Sequence, residues 1–164
     1  MTLHDAFTEL SALPLLPSRE AVLARLDEQL AGEGRGSGTL LVIGLLRRDD
    51  GWPLSERTRN LVTSLLARSL RGEDWFGSCG ATEFAVLTIA PPVATLSVAE
   101  RLVEGIARLG VAGLCGAAGL VPLAGDADAA ELLRRATVSL TTARQTGPGT
   151  VVHYREPAVL PLSW

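Results

Sequence analysis

Gly80-Ala81-Thr82-Glu83-Phe84 stands between Arg71-Gly72-Glu73-Asp74 on one side and the apolar run Phe84-Ala85-Val86-Leu87-Thr88-Ile89 on the other. Trp75 to Cys79 and Phe84 to Ala90 read as two strands, with Gly80 to Glu83 as the tight turn between them. The stretch is therefore a β-hairpin, bounded downstream by Pro91-Pro92. An apolar strand leaving such a turn predicts a sheet with this hairpin as part of it.

Outward from the hairpin, strands and helices alternate. Residues 1–17 are broken by Pro14 and Pro17 and read as an irregular segment. Ser18 precedes a helix whose Val22, Leu23, Leu26 and Leu30 share one face. Ala31 to Gly38 is a loop, and Thr39 to Leu46 is an apolar run of the kind that forms a strand buried on both faces. Arg47 to Pro53 is a charged turn, and Leu54 to Leu70 is a second amphipathic helix, ending at Gly72. Ser97 with Glu100 has capping-box spacing and predicts a third helix through Leu109. Residues 111–121 form another buried strand, whose Gly113, Gly116, Ala117 and Gly119 predict close packing against a neighbour. Asp128 with Glu131 opens a last helix that Gly147-Pro148 ends, and Val151 to Tyr154 is a final strand. Residues 155–164, with Pro157 and Pro161, form a tail. The expectation is one α+β domain over 18–154, a mixed five-stranded sheet with helices packed on it, of the split βαβ type.

Composition narrows the function. A chain of 164 residues that is 47% hydrophobic fits one domain with one core. Its net charge of −3 argues against non-specific binding to nucleic acid or to an anionic membrane. Cys79 and Cys115 lie in apolar runs and read as buried thiols, consistent with a reducing compartment. The N-terminal residues lack a signal peptide, and the longest uncharged run, 110–125, is too short and Gly-rich to span a bilayer. The expectation is a cytoplasmic domain, either whole or part of a longer protein, with no membrane insertion.

The hairpin resembles the signature element of GGDEF domains, the bacterial diguanylate cyclases, of which Gly80, Glu83 and Phe84 match while Ala81 and Thr82 depart. Leu13-Pro14-Leu15-Leu16-Pro17-Ser18-Arg19 is similar to the opening LTGLPNR element, and Gly51-Trp52-Pro53-Leu54-Ser55-Glu56 to GHxxGD. Val98-Ala99-Glu100-Arg101-Leu102 resembles LAERL, and Gly116-Ala117-Ala118-Gly119 stands where SIG is usual. Glu131-Leu132-Leu133-Arg134-Arg135-Ala136 resembles ELLRRAD, and Ala143-Arg144 through Gly147 resembles AKxxG. The matches run in family order over roughly residues 11–154.

The resemblance implies cyclic nucleotide chemistry, and the departures imply its loss. Joining two GTP molecules requires carboxylates that hold metal ions on the triphosphate. Gly44 stands where the family has its first-strand Asp, Leu46 where a second acid would be, and Thr82 where the hairpin acid would be. The FKxIND stretch is missing, with only Arg47-Arg48-Asp49-Asp50 in its place, and Glu56 replaces an Asp that would contact guanine. Arg144 stands for a phosphate-binding Lys, and Pro148 replaces a following Arg. Glu83 alone makes a poor magnesium site. Asp49 and Asp50 are turn acids of the kind that are usually just solvated. No cofactor, no metal and no enzyme activity are expected.

A second motif survives. Many GGDEF domains carry an RxxD inhibitory site whose Asp lies six positions before the first Gly, and Asp74 lies six before Gly80 with Arg71 in register. Arg101 stands where a further Arg completes that site in some members. The resemblance implies that Arg71, Asp74 and Arg101 bind cyclic di-GMP. The chemistry agrees, since an Arg fork matches guanine O6 and N7, Asp accepts from guanine N–H groups, and a second Arg pairs with phosphate. The plain alternative is that Arg71 and Asp74 form a surface ion pair, with Arg71 placed at a helix C-terminus and Arg101 facing solvent. His4 and His153 lack ligand partners, Trp75 and Phe76 read as packing residues, and Trp52 and Trp164 as partly exposed.

Three functions follow in order. The first is an inactive GGDEF-like receptor for cyclic di-GMP. It would act on a second copy, or on another protein or domain of a signalling or exopolysaccharide-secretion system. The second is a dimerisation or docking scaffold that binds no nucleotide. The third is a GTP-binding effector domain.

Overall fold

The computed structural model describes residues 16–32, 37–47, 54–125 and 127–155. Ser18 caps α1 (Arg19–Ala31), its hydroxyl accepting from the Ala21 amide at 3.3 Å. Next come β1 (Thr39–Arg47), α2 (Glu56–Ser69), the hairpin strands β2 (Trp75–Ser78) and β3 (Glu83–Thr88), and α3 (Pro92–Ala107). β4 (Leu114–Pro122), α4 (Ala129–Thr146) and β5 (Val151–His153) complete the order. The five strands form one sheet in the order β2-β3-β1-β4-β5, with β4 and β5 parallel and the other pairs antiparallel. This is the mixed α+β sheet that the alternation of patterns predicts.

Side chains alternate across the strands, so each apolar run feeds two cores. Leu40, Val42, Ala85, Leu87, Ala117 and Val121 pack under α1 and α4. Leu41, Ile43, Phe84, Val86, Ala118 and Leu120 pack under α2 and α3. Burial on both faces is why β1 and β4 lack polar alternation. The glycines of β4 meet the expectation of close packing. A Cβ at Gly119 would run into the main chain of α4 at Ala136, Ser139 and Leu140. Trp75 packs against the first core and Phe76 against the second.

Several boundaries correct the expectations. α3 starts at Pro92, so Ser97 and Glu100 lie inside the helix and form no capping box. Proline at the first turn needs no N–H partner and is already set near helical φ, so the dipeptide starts a helix as well as ending a strand. Thr95 reinforces that turn, its hydroxyl donating to the Pro91 carbonyl at 3.1 Å. α2 ends at Ser69, before Gly72. β4 begins at Leu114 because Gly110 and Gly113 take φ of +77° and +74° in a turn ahead of it. β5 stops at His153. Cys79 and Cys115 form no disulfide and are only half-buried, and burial pushes Cys79 up to about 11. Among the described residues no helix is long and apolar enough to cross a membrane. Most of the segments 1–17 and 155–164, together with Asp49, Asp50, Trp52, His4 and Trp164, lies outside the described residues.

Candidate functional site

The hairpin tip is held from several directions. Gly80 and Ala81 are exposed at the turn, Thr82 and Glu83 are half-buried, and Phe84 is fully buried. The Cys79 amide donates to the Glu83 carbonyl at 2.9 Å and closes the loop. The Leu45 amide donates to the Thr82 carbonyl at 2.9 Å, which ties the loop to β1. From α2, Arg59 donates to the Ala81 carbonyl at 3.1 Å and to the Ser78 hydroxyl at 3.0 Å, with its guanidinium 5.9 Å from the Phe84 ring centre. Arg59 gave no signal in the sequence, where it is one more cation on an amphipathic helix.

On the other face, β-pairing sets Gly44 directly opposite Glu83. Arg144 reaches over this pair from α4. It donates to Glu83 Oε1 at 3.0 Å and to the Leu45 carbonyl at 3.4 Å. A divalent ion, as the family resemblance would imply, does not fit these residues. Gly44 and Leu46 offer no side-chain oxygen, and the Glu83 carboxylate already carries a cation. Among the described residues no group of three or more His, Cys, Asp or Glu side chains could hold a metal. Glu56 opens α2, is exposed and does not line the pocket described next.

Arg71, Asp74 and Arg101 come together. They line a pocket of about 350 Å³ between the end of α2 and the start of α3, floored by Leu41, Val86 and Thr88. Just past α2, the Asp74 carboxylate accepts the Arg71 amide at 3.0 Å while the Asp74 amide donates to the Arg71 carbonyl at 2.9 Å. This reciprocal turn is why α2 stops short of Gly72, since the side chain offers the backbone an alternative to another helical turn. Asp74 holds the backbone of Arg71, and the Arg71 guanidinium has no ion-pair or hydrogen-bond partner among the described residues. Asp74 is half-buried, while Arg71 and Arg101 keep exposed heads. The pocket thus presents two arginine forks beside a carboxylate with one oxygen, Oδ1, unengaged among the described residues.

Sequence reasoning missed Arg68. It lines an adjoining cleft of about 300 Å³ with Ser69, Val98, Arg101 and Leu102. Arg68 is in the last turn of α2, and Arg101 lines both this cleft and the Arg71 pocket.

No known family model and no curated protein sequence matches the chain. Solved structures do. The GGDEF domain of DgcB from Caulobacter crescentus, in complex with c-di-GMP, superposes with a TM-score of 0.70 at 18% identity over 84% of this chain and 91% of that one. The active GGEEF domain of a diguanylate cyclase from Vibrio cholerae gives 0.73 at 20% identity over 87% and 99%. The diguanylate cyclase SiaD from Pseudomonas aeruginosa, in complex with its activator SiaC, gives 0.70 at 21% identity over 92% of this chain and 66% of that one. Identities this low speak for architecture alone, and they establish that the chain has the fold of a GGDEF domain.

Proposed function

We propose that the chain is a catalytically inactive GGDEF-like domain that binds cyclic di-GMP at Arg71, Asp74 and Arg101 and acts as a receptor module. The observation that carries this reading is the convergence of those three side chains on one pocket, with the Arg71 guanidinium unpaired among the described residues. An Arg fork suits guanine O6 and N7, the open Asp74 oxygen accepts a guanine N–H, and the other Arg neutralises phosphate. The DgcB structure, of the same fold, is a complex with c-di-GMP. Inactivity is inferred from the residues where the fold's metals would sit, with Gly44 bare and Glu83 paired to Arg144. The setting we propose is cytoplasmic. The output would pass to a second copy or to another protein of a signalling or exopolysaccharide-secretion system.

Equilibrium binding of fluorescently labelled cyclic di-GMP tests the reading, with unlabelled cyclic di-GMP and magnesium-GTP as competitors. Displacement by cyclic di-GMP alone, and weaker binding in Arg101→Ala, is expected. Equal displacement by GTP would favour the GTP-effector reading.

A docking role has an observation of its own. Val93 and Leu96 are 82% and 36% exposed along α3. They neighbour Ala94 and Ser97, which line the Arg71 pocket. A ligand held there would sit beside this apolar stripe, so binding and association are coupled if the partner's affinity differs between the two states. Absence of nucleotide binding together with self-association or partner capture lost in Val93→Asp would favour the scaffold alone.

A further inference from the structure

Arg144 sits against an oddly bare piece of sheet. Gly44 is in the middle of β1, flanked by Ile43 and Leu45, where an apolar side chain would ordinarily fill the space. A Cβ built on Gly44 would meet the Arg144 guanidinium at 2.5 Å from Nη2, 2.7 Å from Cζ and 2.8 Å from Nε. The guanidinium thus lies in the volume that any side chain at position 44 would need. Its contacts there are a carboxylate oxygen of Glu83 at 3.0 Å and the main-chain carbonyl of Leu45 at 3.4 Å. A carboxylate and a carbonyl facing the same guanidinium are oxygens of the kind a hard cation takes. Glu83 and Arg144 are only 24% and 25% exposed, so water replaces neither partner cheaply.

We infer that the Arg144 guanidinium is a built-in replacement for a bound cation, with Glu83 and the Leu45 carbonyl as its ligands, and that position 44 is glycine to admit it. The fork geometry suits this, because two Nη atoms can reach two acceptors on adjacent strands at once, which a lysine ammonium does less well. A divalent ion brought to Glu83 would face a fixed positive charge at contact distance. The arrangement therefore closes this end of the sheet to metal-bound triphosphates. It stands whether or not the Arg71 pocket takes a ligand.

A double-mutant cycle tests it, with melting temperatures of the wild type, Gly44→Ala, Arg144→Met and the pair. Gly44→Ala is expected to lower the melting temperature by several degrees in the wild type and by much less in the Arg144→Met background. An equal loss in both backgrounds would mean that Gly44 serves the strand and not the guanidinium, and would overturn the inference. A second arm is read first on the wild type. Manganese binding, read from the free-ion paramagnetic resonance signal, is expected to be absent in wild type at millimolar ion. Depletion of that signal by wild type, abolished in Glu83→Gln, would show that Glu83 still holds a metal and would equally overturn it.

Discussion

Asp74 engages the backbone of Arg71 and leaves its guanidinium free to face the pocket. A hydrogen bond to a charged group contributes about 1.5–3 kcal/mol, so Arg71→Ala should weaken cyclic di-GMP binding by roughly 10- to 100-fold. Arg71→Lys keeps the charge but loses the fork, and should weaken binding nearly as much. Binding by Lys at wild-type strength would show that charge alone matters. The RxxD register and the position of Arg101 were legible because they are fixed offsets along the chain. The Arg144–Glu83 contact spans 61 residues of sequence and depends on how α4 lies on β4 and β1, across which Arg144 reaches to β3. Nothing local records that crossing. The trace that could have revealed it is a glycine inside an apolar strand together with an arginine where the family has a phosphate-binding Lys.

Elements are stabilised where local chemistry and packing agree. α4 starts at Asp128, whose carboxylate accepts the Glu131 amide at 2.9 Å. Glu131 in turn accepts from Arg134 and Arg135. Those bonds, Arg134 first, hold its carboxyl at about 2, down from an ordinary 4.5. A depressed carboxyl stabilises the fold fully above its unfolded value, and that contribution is lost as pH falls from about 4.5 toward about 2. Glu131→Gln should therefore flatten that part of the acid melting profile and leave the profile near neutrality with the same shape. An unchanged acid limb would mean that the cluster is inert. The same helix lies on Gly119 of β4, with its main chain where a Cβ would go. Gly119→Ala must lift α4 from the sheet, and overpacking of this kind costs about 1–3 kcal/mol, with a correspondingly lower denaturant midpoint. A midpoint equal to wild type would contradict the close approach. The cap at Asp128 and the close packing of β4 were both legible. The capping box at Ser97 was not a cap, because Pro91-Pro92 fits the entry to a helix as well as the exit from a strand.

At the scale of the molecule, the sheet separates two faces with different occupations. Toward α1 and α4, the end of β1 is closed by Arg144. Toward α2 and α3, the pocket at Arg71 stays open beside the exposed Val93 and Leu96 of α3. The architecture was readable because apolar runs and helical periods follow each other in an order that allows few topologies. What the two faces do depends on which side chains meet across it. A net charge of −3 makes the arginine pocket a local exception on an acidic molecule. Binding of a dianionic ligand there should weaken as salt rises.

Isothermal titration of cyclic di-GMP into the purified protein, with Arg71→Ala beside it, tests the receptor account most directly. The account predicts saturable binding at micromolar concentration or tighter, weakened roughly 10- to 100-fold in the variant. It also predicts a melting temperature that rises with ligand, since about 100-fold excess over the dissociation constant adds about 2.7 kcal/mol. No heat and no thermal shift in wild type at high ligand, or equal binding by Arg71→Ala, would contradict it.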